Sequence, residues 1–439
     1  MKKVLLIAYQ FPPSGDVGAQ RTLKFAKYLP AFGWQPVVLT VSNGKFGNFA
    51  PALLDLVPEG TAVHRTRSFE LLNEGRNSTK PEKRTVLRRV CNRLGRHFAY
   101  LTIPDNHVFW VFTATRKARA LIRAEGIRHV YISGKPFSSF LVGALLKRTD
   151  DVRVAVDYRD PWTQNFNYYR RSPFHAWIEK KMETWVVRSS DVVITNTRVN
   201  EELMVSEFGG SERREKFITI HNGFDSEDFA SVPLKRPDKF TITYAGGFYF
   251  SVGSDYKGGA GNWVMETHSP FFFFEALERL FERRPDMKPH FQVNFMGWLG
   301  HGYDPIIEKH GLKNVVSNLG YVDYVRHIPI LKNSHALLLV LSRGEESKGV
   351  MPSKFFQYVG SGNPVLALVP EGEVRSIMDS MRAGVYVDPD DVEGISRAVE
   401  DLYDRYYRSS GSVERNEDEI RKYERKYLTG LLVKALEKA

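Results

Sequence analysis

The chain alternates short apolar runs with longer segments whose apolar residues recur every three to four positions. Short apolar runs bounded by turn-forming residues predict buried strands, and the longer periodicity predicts amphipathic helices. In the first half, a helix is predicted over 18–32, and the predicted strands are 4–8, 36–40, 130–133, 152–157 and 192–195. Such an alternation is typical of parallel α/β architecture.

The same alternation resumes near residue 240 and predicts a second α/β unit. Its predicted strands are 241–245, 291–296, 315–319, 336–341, 365–368 and 385–387, and its predicted helices are 270–284, 392–408 and 418–438. A charged linker with two prolines, Pro233-Leu234-Lys235-Arg236-Pro237, separates the halves. We therefore predict two Rossmann-like domains facing each other across a cleft, over 1–232 and 233–408. The segment 409–439 should form a C-terminal helix that packs back toward the first domain.

The segment 248–268 departs from this alternation, because it combines four glycines with several aromatic residues and shows no clear period. It directly follows a predicted strand of the second domain, where ligand-binding loops of α/β proteins lie. A mobile lid and an ordinary surface insertion both explain this composition.

The length of 439 residues exceeds the size at which one core keeps growing, which agrees with two domains. The single cysteine, Cys91, excludes an intrachain disulfide and fits a reducing cytoplasm. The apolar run 4–9 is too short for a signal peptide and is ended by Gln10. No run approaches the roughly 20 apolar residues that span a bilayer. The sequence thus predicts a cytoplasmic protein, soluble or peripheral at the inner face of the membrane.

The net charge of +11 is concentrated in one region, because residues 76–128 hold thirteen Lys or Arg and only three acids. Within it, Val86, Leu87, Val90 and Leu94 recur at helical spacing among arginines. This pattern is typical of a basic amphipathic helix at an anionic membrane surface. A solvated helix that packs on its own domain explains it equally well. Nucleic acid is a weaker interpretation, because no recognised binding motif accompanies the charge.

The segment 348–367 contains the strongest local signal for a ligand site. Pro352 and Ser353 favour a helix start, at N1 and N-cap positions respectively, and Gly362 can end that helix. Lys354 lies in the first turn, where free N–H groups and the helix dipole favour an anion. Gly349 allows the backbone to approach a ligand closely.

Several separated segments, in this order, resemble the family 4-like GT-B glycosyltransferases. They are 11–21, a proline-glycine loop before the first helix, 133–139, 157–162, 220–225, 320–322, 348–367 and 387–391. The resemblance implies that the second domain binds a nucleotide-diphosphate sugar, with UDP as the favoured nucleotide, and that the first binds the acceptor. It further implies a retaining sugar transfer to a glycan or lipid-linked saccharide in envelope biosynthesis. Neither a metal nor a cofactor is implied, and no protein nucleophile is assigned.

On this resemblance, Lys354 is the catalytic candidate that stabilises the leaving diphosphate, although a surface lysine without a role is the alternative. The candidate donor-binding residues are Gly246, Gly247, Lys257, Tyr321, Val322, Glu345, Gly349, Val350, Met351, Ser353 and Gln357. Lys257 stands for a lysine that other members carry after the first strand of this domain.

The sequence departs from the family at the two glutamates that members carry with seven residues between them. Gly349 and Gln357 occupy those positions, and Glu345 or Glu346 could supply a carboxylate from upstream. Gln357 can still accept a hydrogen bond from a ribose hydroxyl but brings no charge. Two alternatives follow, a non-catalytic nucleotide- or glycan-binding protein and a sugar-nucleotide epimerase of the same fold.

On the acceptor side, charged residues end a predicted strand of the first domain. Arg159 and Asp160 are catalytic candidates, and Asp157 is an acceptor-side candidate. Arg159 could instead form an internal clamp with Asp157 or Asp160. The first loop adds the acceptor-side candidates Gly15, Asp16 and Gly18, and His221 is interpreted as structural.

Overall fold

The computed structural model describes residues 1–44, 46–69, 102–165, 172–209, 211–248, 268–300, 302–322, 324–408 and 414–438. The chain divides into two compact units. The first consists of Met1–His221 and Arg425–Ala439, and the second of Asn222–Glu424.

The first unit is built on a seven-stranded sheet in which each strand pairs in parallel with its neighbours. Its strands are β1 (Lys2–Ala8), β2 (Trp34–Val41), β3 (Ala62–Thr66), β4 (His129–Ser133), β5 (Arg153–Tyr158), β6 (Val192–Thr195) and β7 (Phe217–Thr219). The strand order is β3-β2-β1-β4-β5-β6-β7. The helices between them are α1 (Val17–Tyr28), α2 (Trp110–Glu125), α3 (Ser139–Lys147), α4 (Pro173–Ser189) and α5 (Arg198–Met204).

The second unit contains a six-stranded parallel sheet. Its strands are β8 (Phe240–Ala245), β9 (Phe291–Met296), β10 (Val316–Gly320), β11 (Ala336–Val340), β12 (Val365–Leu368) and β13 (Gly384–Val387), in the order β10-β9-β8-β11-β12-β13. Its helices are α6 (Ser226–Ala230), α7 (Phe271–Arg283), α8 (Tyr303–Lys309), α9 (Tyr324–Asn333), α10 (Ser353–Gly360), α11 (Glu373–Met381), α12 (Val392–Arg408) and α13 (Glu417–Arg421).

Both sheets are covered on two faces, which explains the continuous apolar runs of the central strands. In β1, Leu5 and Ile7 pack in one apolar cluster, while Val4 and Leu6 pack in another on the opposite face. The residues of β11 alternate in the same way between the two apolar clusters of the second unit. Because the strands of each sheet are parallel, their carboxyl ends lie at a common edge of that sheet.

The last helix, α14 (Arg425–Lys438), belongs to the first unit and packs against α1. Leu428, Leu432 and Leu436 are buried in the same cluster as Phe25 of α1. The sequence predicted such a return for 409–439, whereas the returning segment is Arg425–Ala439 and α13 stays in the second unit. The division between the units falls after His221, earlier than the predicted boundary at 232/233.

The two parallel sheets with surrounding helices confirm the predicted fold class, and all eleven predicted strands correspond to observed ones. The sequence missed β3 and β7. Strand β3 lies at the sheet edge and is largely exposed, so its residues show no apolar run, and β7 has three residues. No helix in the described part of the chain is long and apolar enough to cross a bilayer.

Candidate active site

The edge where β8, β9 and β10 end in the second unit is formed by glycine. Gly246, Gly297 and Gly320 lie at the three strand ends with φ of +135°, +130° and +64°. After β8 the chain forms β9 and β10 on one side of β8, and it then forms β11, β12 and β13 on the other side. Parallel α/β sheets bind ligands at such a reversal of strand order, outside the carboxyl ends of the strands.

Two of these glycines lie close together, and Gly297 does not tolerate a side chain without a backbone shift. A Cβ at Gly297 would lie 2.2 Å from the carbonyl oxygen of Gly246. The Gly246 amide donates to Met296 O over 2.8 Å, and the Gly297 amide donates to Gly320 O over 2.7 Å. These bonds fix the strand ends as one backbone surface, on which Gly246 is exposed.

Lys354, in the first turn of α10, reaches this glycine edge. Its Nζ donates to the Tyr244 hydroxyl over 2.8 Å and lies 4.0 Å from the centre of the Tyr244 ring. A Cβ at Gly246 would lie 2.7 Å from the same Nζ. Because Gly246 has no side chain, the Lys354 ammonium group can lie beside its exposed backbone.

The environment of Lys354 destabilises its charge. Burial lowers the pKa of Lys354 to about 7, from an ordinary value of 10.5. A bound anion would favour the charged form and raise that pKa. His268, which precedes α7, has its pKa lowered to about 4 by burial and by repulsion from Lys354, so its imidazole is neutral at pH 7.

Helix α10 is held against the end of β8 by a second side chain. The buried Tyr358 hydroxyl accepts from the Ala245 amide over 2.7 Å. Phe355, Phe356 and Val359 bury the apolar face of the helix. Pro352 is the N-cap and Ser353 the first helical residue, so the predicted assignment of these two positions was wrong by one residue. Gly362 follows the helix with φ of +86°, as expected for its end.

The remaining donor candidates lie around this helix start in different settings. Ser353 and Gln357 are half-buried, one turn apart on the side of α10 that carries Lys354. Gly349, Val350 and Met351 lead into the helix, and the Val350 amide is used by a turn bond to Ser347 O. Amide donors for a ligand therefore have to come from other residues of this stretch.

Tyr321 and Val322 follow the end of β10, and the Tyr321 side chain is 69% exposed. Glu345 is exposed and pairs with Lys348 over 2.6 Å. Its carboxylate is thereby partly neutralised by a neighbour on the same turn. Lys257 and most of the candidate lid, residues 249–267, lie outside the described residues.

In the first unit, a buried ion pair joins α1 to β5. The Arg21 Nε donates to Asp157 Oδ2 over 2.6 Å and Nη2 donates to Oδ1 over 3.1 Å, with both side chains at most 1% exposed. Arg21 also donates to the carbonyl oxygens of Ile220 and His221, and the Tyr131 hydroxyl donates to Asp157. Burial alone would lower the pKa of Arg21, but the charge of Asp157 outweighs it and the net shift is upward.

This geometry corrects the expectation for Asp157. Its carboxylate is enclosed and shared between Arg21 and Tyr131, so it joins β4 and β5 to α1 rather than facing an acceptor. His221 is held by a contact of Nδ1 with Asn196 O at 3.0 Å, and burial lowers its pKa to about 4. The structure is consistent with its structural interpretation.

Arg159 bridges the carboxyl ends of the central strands. Its guanidinium donates to the Gly134 and Lys135 carbonyl oxygens and to Gln10 Oε1, rather than to Asp157 or Asp160 as the internal clamp required. A Cβ at Gly18 would lie 1.5 Å from Nη1, so the glycine makes room for the arginine at the start of α1. Asp160 pairs instead with Lys135 over 3.0 Å, and both side chains are nearly half exposed.

The first loop is tied into the same edge. Asp16 accepts from the Ser14 hydroxyl over 3.0 Å and from the Asn48 amide over 3.2 Å, and the Gly15 amide donates to Asn48 O. A Cβ at Gly15 would lie 2.7 Å from the Asn48 side chain. Gly15 and Asp16 thus order the loop, while Gly18 and Arg159 lie next to each other.

Sequence reasoning missed Tyr244 and Arg21, although both make the contacts that fix a candidate residue. Tyr244 lies inside an apolar run, and Arg21 lies on a predicted helix, so neither differed from its neighbours by pattern. Each finds its partner more than a hundred residues away, Tyr244 at Lys354 and Arg21 at Asp157. Such distant pairing leaves no local signal.

Part of the chain matches a known protein family by sequence. Residues 18–223, a little under half of the chain, match the family model described as "Glycosyl transferase 4-like domain". No curated protein matches the chain by sequence.

Similar solved structures cover the whole chain. Anabaena Alr3699/HepE in complex with UDP is 13% identical, with 100% of each chain covered and a TM-score of 0.62. Sucrose-phosphate synthase from Thermosynechococcus elongatus is 13% identical, with coverage of 100% of this chain and 99% of its own and a TM-score of 0.64. A glycosyltransferase from Rickettsia africae is also 13% identical, with coverage of 100% and 98% and a TM-score of 0.60.

The chain therefore has the GT-B fold, in which two Rossmann-like units share one polypeptide. Residues 18–223 are similar to the glycosyl transferase 4-like domain, the family that the motifs in the sequence resemble.

Proposed function

We propose that this protein is a glycosyltransferase that moves a sugar from a UDP-sugar to a glycan or lipid-linked saccharide of the cell envelope. The observation that supports it most is the position of Lys354, whose ammonium group lies beside the exposed backbone of Gly246. A diphosphate at this edge would meet a cation and a helix start together. The family 4-like first domain agrees with transfer chemistry.

In this proposal the second unit binds the donor and Lys354 stabilises the negative charge that develops on the leaving diphosphate. The proton needed to charge Lys354 is taken up from water when its pKa rises on binding. The reaction is proposed to be retaining and independent of metal and cofactor. Arg159, Gly18 and the exposed Asp160 would contribute to the acceptor side of the first unit.

The decisive experiment measures UDP binding and donor turnover in the wild type and in Lys354→Ala. Calorimetry should show UDP binding in the wild type that is weakened at least tenfold in the variant, because a buried charge-assisted contact is lost. Lys309→Ala, which removes an exposed lysine of α8 in the same unit, is the matched control. Equal UDP affinity in wild type and Lys354→Ala would overturn the role of Lys354.

A second candidate function is a nucleotide- or glycan-binding protein without turnover. It is favoured by Gly349 and Gln357, which replace the glutamates of the resembled family, and by the pairing of Glu345 with Lys348. Incubation with a panel of UDP-sugars separates the functions. Binding without loss of any donor, alone or with acceptor glycans, supports the second, whereas conversion of the donor sugar without acceptor supports an epimerase.

The proposed site of transfer is an anionic membrane surface, reached by the basic region 76–128. Of this region, residues 102–128 are described, and on α2 they expose Phe112 to 85% together with Arg116 and Arg123. Flotation with anionic vesicles at low salt should recover the protein, and Phe112→Ser should reduce recovery. Absence from anionic vesicles would remove the membrane from the proposal.

A further inference from the structure

Among the described residues, Tyr244 contacts the Lys354 ammonium group through both its hydroxyl and its ring. Its hydroxyl lies 2.8 Å from Nζ, and its ring lies beneath the same atom at 4.0 Å. The ring is fully buried and stacked on Phe248, with 4.1 Å between centroids and 14° between planes. Tyr244 therefore presents both a hydrogen-bond acceptor and a π face from one rigid position.

The Tyr244 hydroxyl accepts from the Lys354 ammonium group, which can only donate, so its own proton is directed elsewhere. The hydroxyl oxygen lies 3.4 Å from the Gly247 carbonyl oxygen, which can only accept. With its proton directed to Gly247, the hydroxyl turns a lone pair toward Nζ. This arrangement favours the ammonium form of Lys354 over the amine, and it opposes the effect of burial.

We propose that Tyr244 is a positioning residue of the donor site, which favours the ammonium form of Lys354 and directs it at the backbone of Gly246, where a diphosphate would bind. The inference rests on the proposed function for its ligand, but its electrostatic part concerns the free protein alone. Tyr244 acts through Lys354 and needs no contact with the donor.

The other groups near Lys354 in the described part of the chain leave this role to Tyr244. His268, ahead of α7, is neutral at pH 7 and so brings no negative charge that would stabilise the ammonium group. Tyr358, on α10 itself, uses its hydroxyl on the Ala245 backbone, with its pKa raised by burial. Gln357 is neutral, and β8 contributes Tyr244 and the Ala245 and Gly246 backbone.

The test is Tyr244→Phe, which keeps the ring and removes the hydroxyl. Lysine labelled with ¹³C at Cε reports the titration of Lys354 directly, with the resonance assigned by its loss in Lys354→Arg. The titration midpoint should fall by about one pH unit in Tyr244→Phe, because the ammonium loses its acceptor. UDP affinity at pH 7.5 should fall about tenfold, since less of the lysine is charged and directed at the site.

Tyr303→Phe is the matched control, because Tyr303 is a buried tyrosine of the same unit, on α8. It should leave both the Lys354 midpoint and the UDP affinity unchanged. If Tyr244→Phe does not fold, Phe248→Leu takes its place, since it loosens the ring stack and keeps the hydroxyl, and the same two readouts apply.

The outcomes separate this inference from the proposed function. An unchanged Lys354 midpoint in a folded Tyr244→Phe overturns the inference and leaves the proposed function standing if the wild type binds UDP. A lowered midpoint without UDP binding by the wild type confirms the effect on Lys354 and overturns the donor site. A reduced thermal midpoint with unchanged titration and UDP affinity would make Tyr244 a core residue and overturn the inference.

Discussion

Two aspartates at the end of β5 lie three residues apart in the sequence but in opposite surroundings. Asp157 is buried against Arg21, and Asp160 pairs with Lys135 at the surface. Removing one partner of a buried pair leaves an uncompensated charge, which costs on the order of 3–5 kcal/mol. A surface pair contributes roughly 0–1 kcal/mol. The same residue type therefore serves stability at one position and is available to a ligand at the other.

We predict that Asp157→Ala destabilises the first unit strongly, whereas Asp160→Ala leaves the free energy of unfolding nearly unchanged. Urea unfolding followed by circular dichroism measures both variants. In transfer assays, Asp160→Ala should reduce activity although its free energy of unfolding is nearly unchanged. Similar unfolding midpoints for the two variants would contradict the structural role of the Arg21–Asp157 pair.

Glu183 of α4 is a buried carboxyl group that titrates near neutrality. Burial raises its pKa to about 7 from 4.5, although hydrogen bonds from Thr163 oppose the shift. Its Oε1 has no hydrogen-bond partner among the described residues. Between pH 4.5 and 7 the folded state therefore keeps a proton that the unfolded state releases.

The free energy of unfolding should consequently fall as pH rises through this window, because the folded state binds more protons there. Glu183→Gln removes the charge and keeps an oxygen that accepts from Thr163. At pH 8 it should be more stable than the wild type by on the order of 1–3 kcal/mol, with little difference at pH 5. Chemical unfolding across pH measures this, with Glu202→Gln, an exposed glutamate of α5, as control. A pH-independent difference would contradict it.

At the level of elements, the glycines at the strand ends of the second unit have different neighbours. A Cβ at Gly297 would lie 2.2 Å from Gly246 O, whereas at Gly320 nothing lies within 4 Å. Both residues have positive φ, so both substitutions strain the backbone by roughly 1–2 kcal/mol. Only the Gly297 side chain must also displace the end of β8.

We expect Gly297→Ala to weaken UDP binding at least tenfold and to lower the thermal midpoint further than Gly320→Ala does. The reason is that the end of β8 carries Gly246, beside which Lys354 Nζ lies. Differential scanning fluorimetry and calorimetry give the two quantities. Retained UDP affinity in a folded Gly297→Ala would show that the end of β8 is not part of the donor site.

Elements with both faces buried were predictable from sequence, because burial on two sides imposes an unbroken apolar run. Strands β1 and β11 are of this kind, whereas the exposed edge strand β3 has no such constraint. The candidate site divides in the same way. Lys354 was predicted because a helix start marks it locally, and Gly246 because of the family resemblance, but Tyr244 gains its role from a lysine 110 residues away.

At the level of the whole chain, the first unit is discontinuous. Its core contains Val4 and Leu6 from the beginning of the chain and Leu428 and Leu432 from α14 at the other end. During synthesis the first unit therefore lacks part of its core until the second unit has been made. The second unit, Asn222–Glu424, is continuous and carries its own apolar clusters.

Removing α14 side chains should therefore destabilise the first unit selectively. Each buried Leu→Ala substitution costs about 2–5 kcal/mol, so Leu428→Ala with Leu432→Ala should remove much of the stability of that unit. Hydrogen exchange with mass spectrometry should show lost protection in β1 and α1 while β8 and β11 stay protected. Lys434→Ala, on the exposed side of α14, should change neither. If β8 and β11 lost as much protection as β1 and α1, the two units would unfold together. The buried side chains of α14 would then not stabilise the first unit selectively.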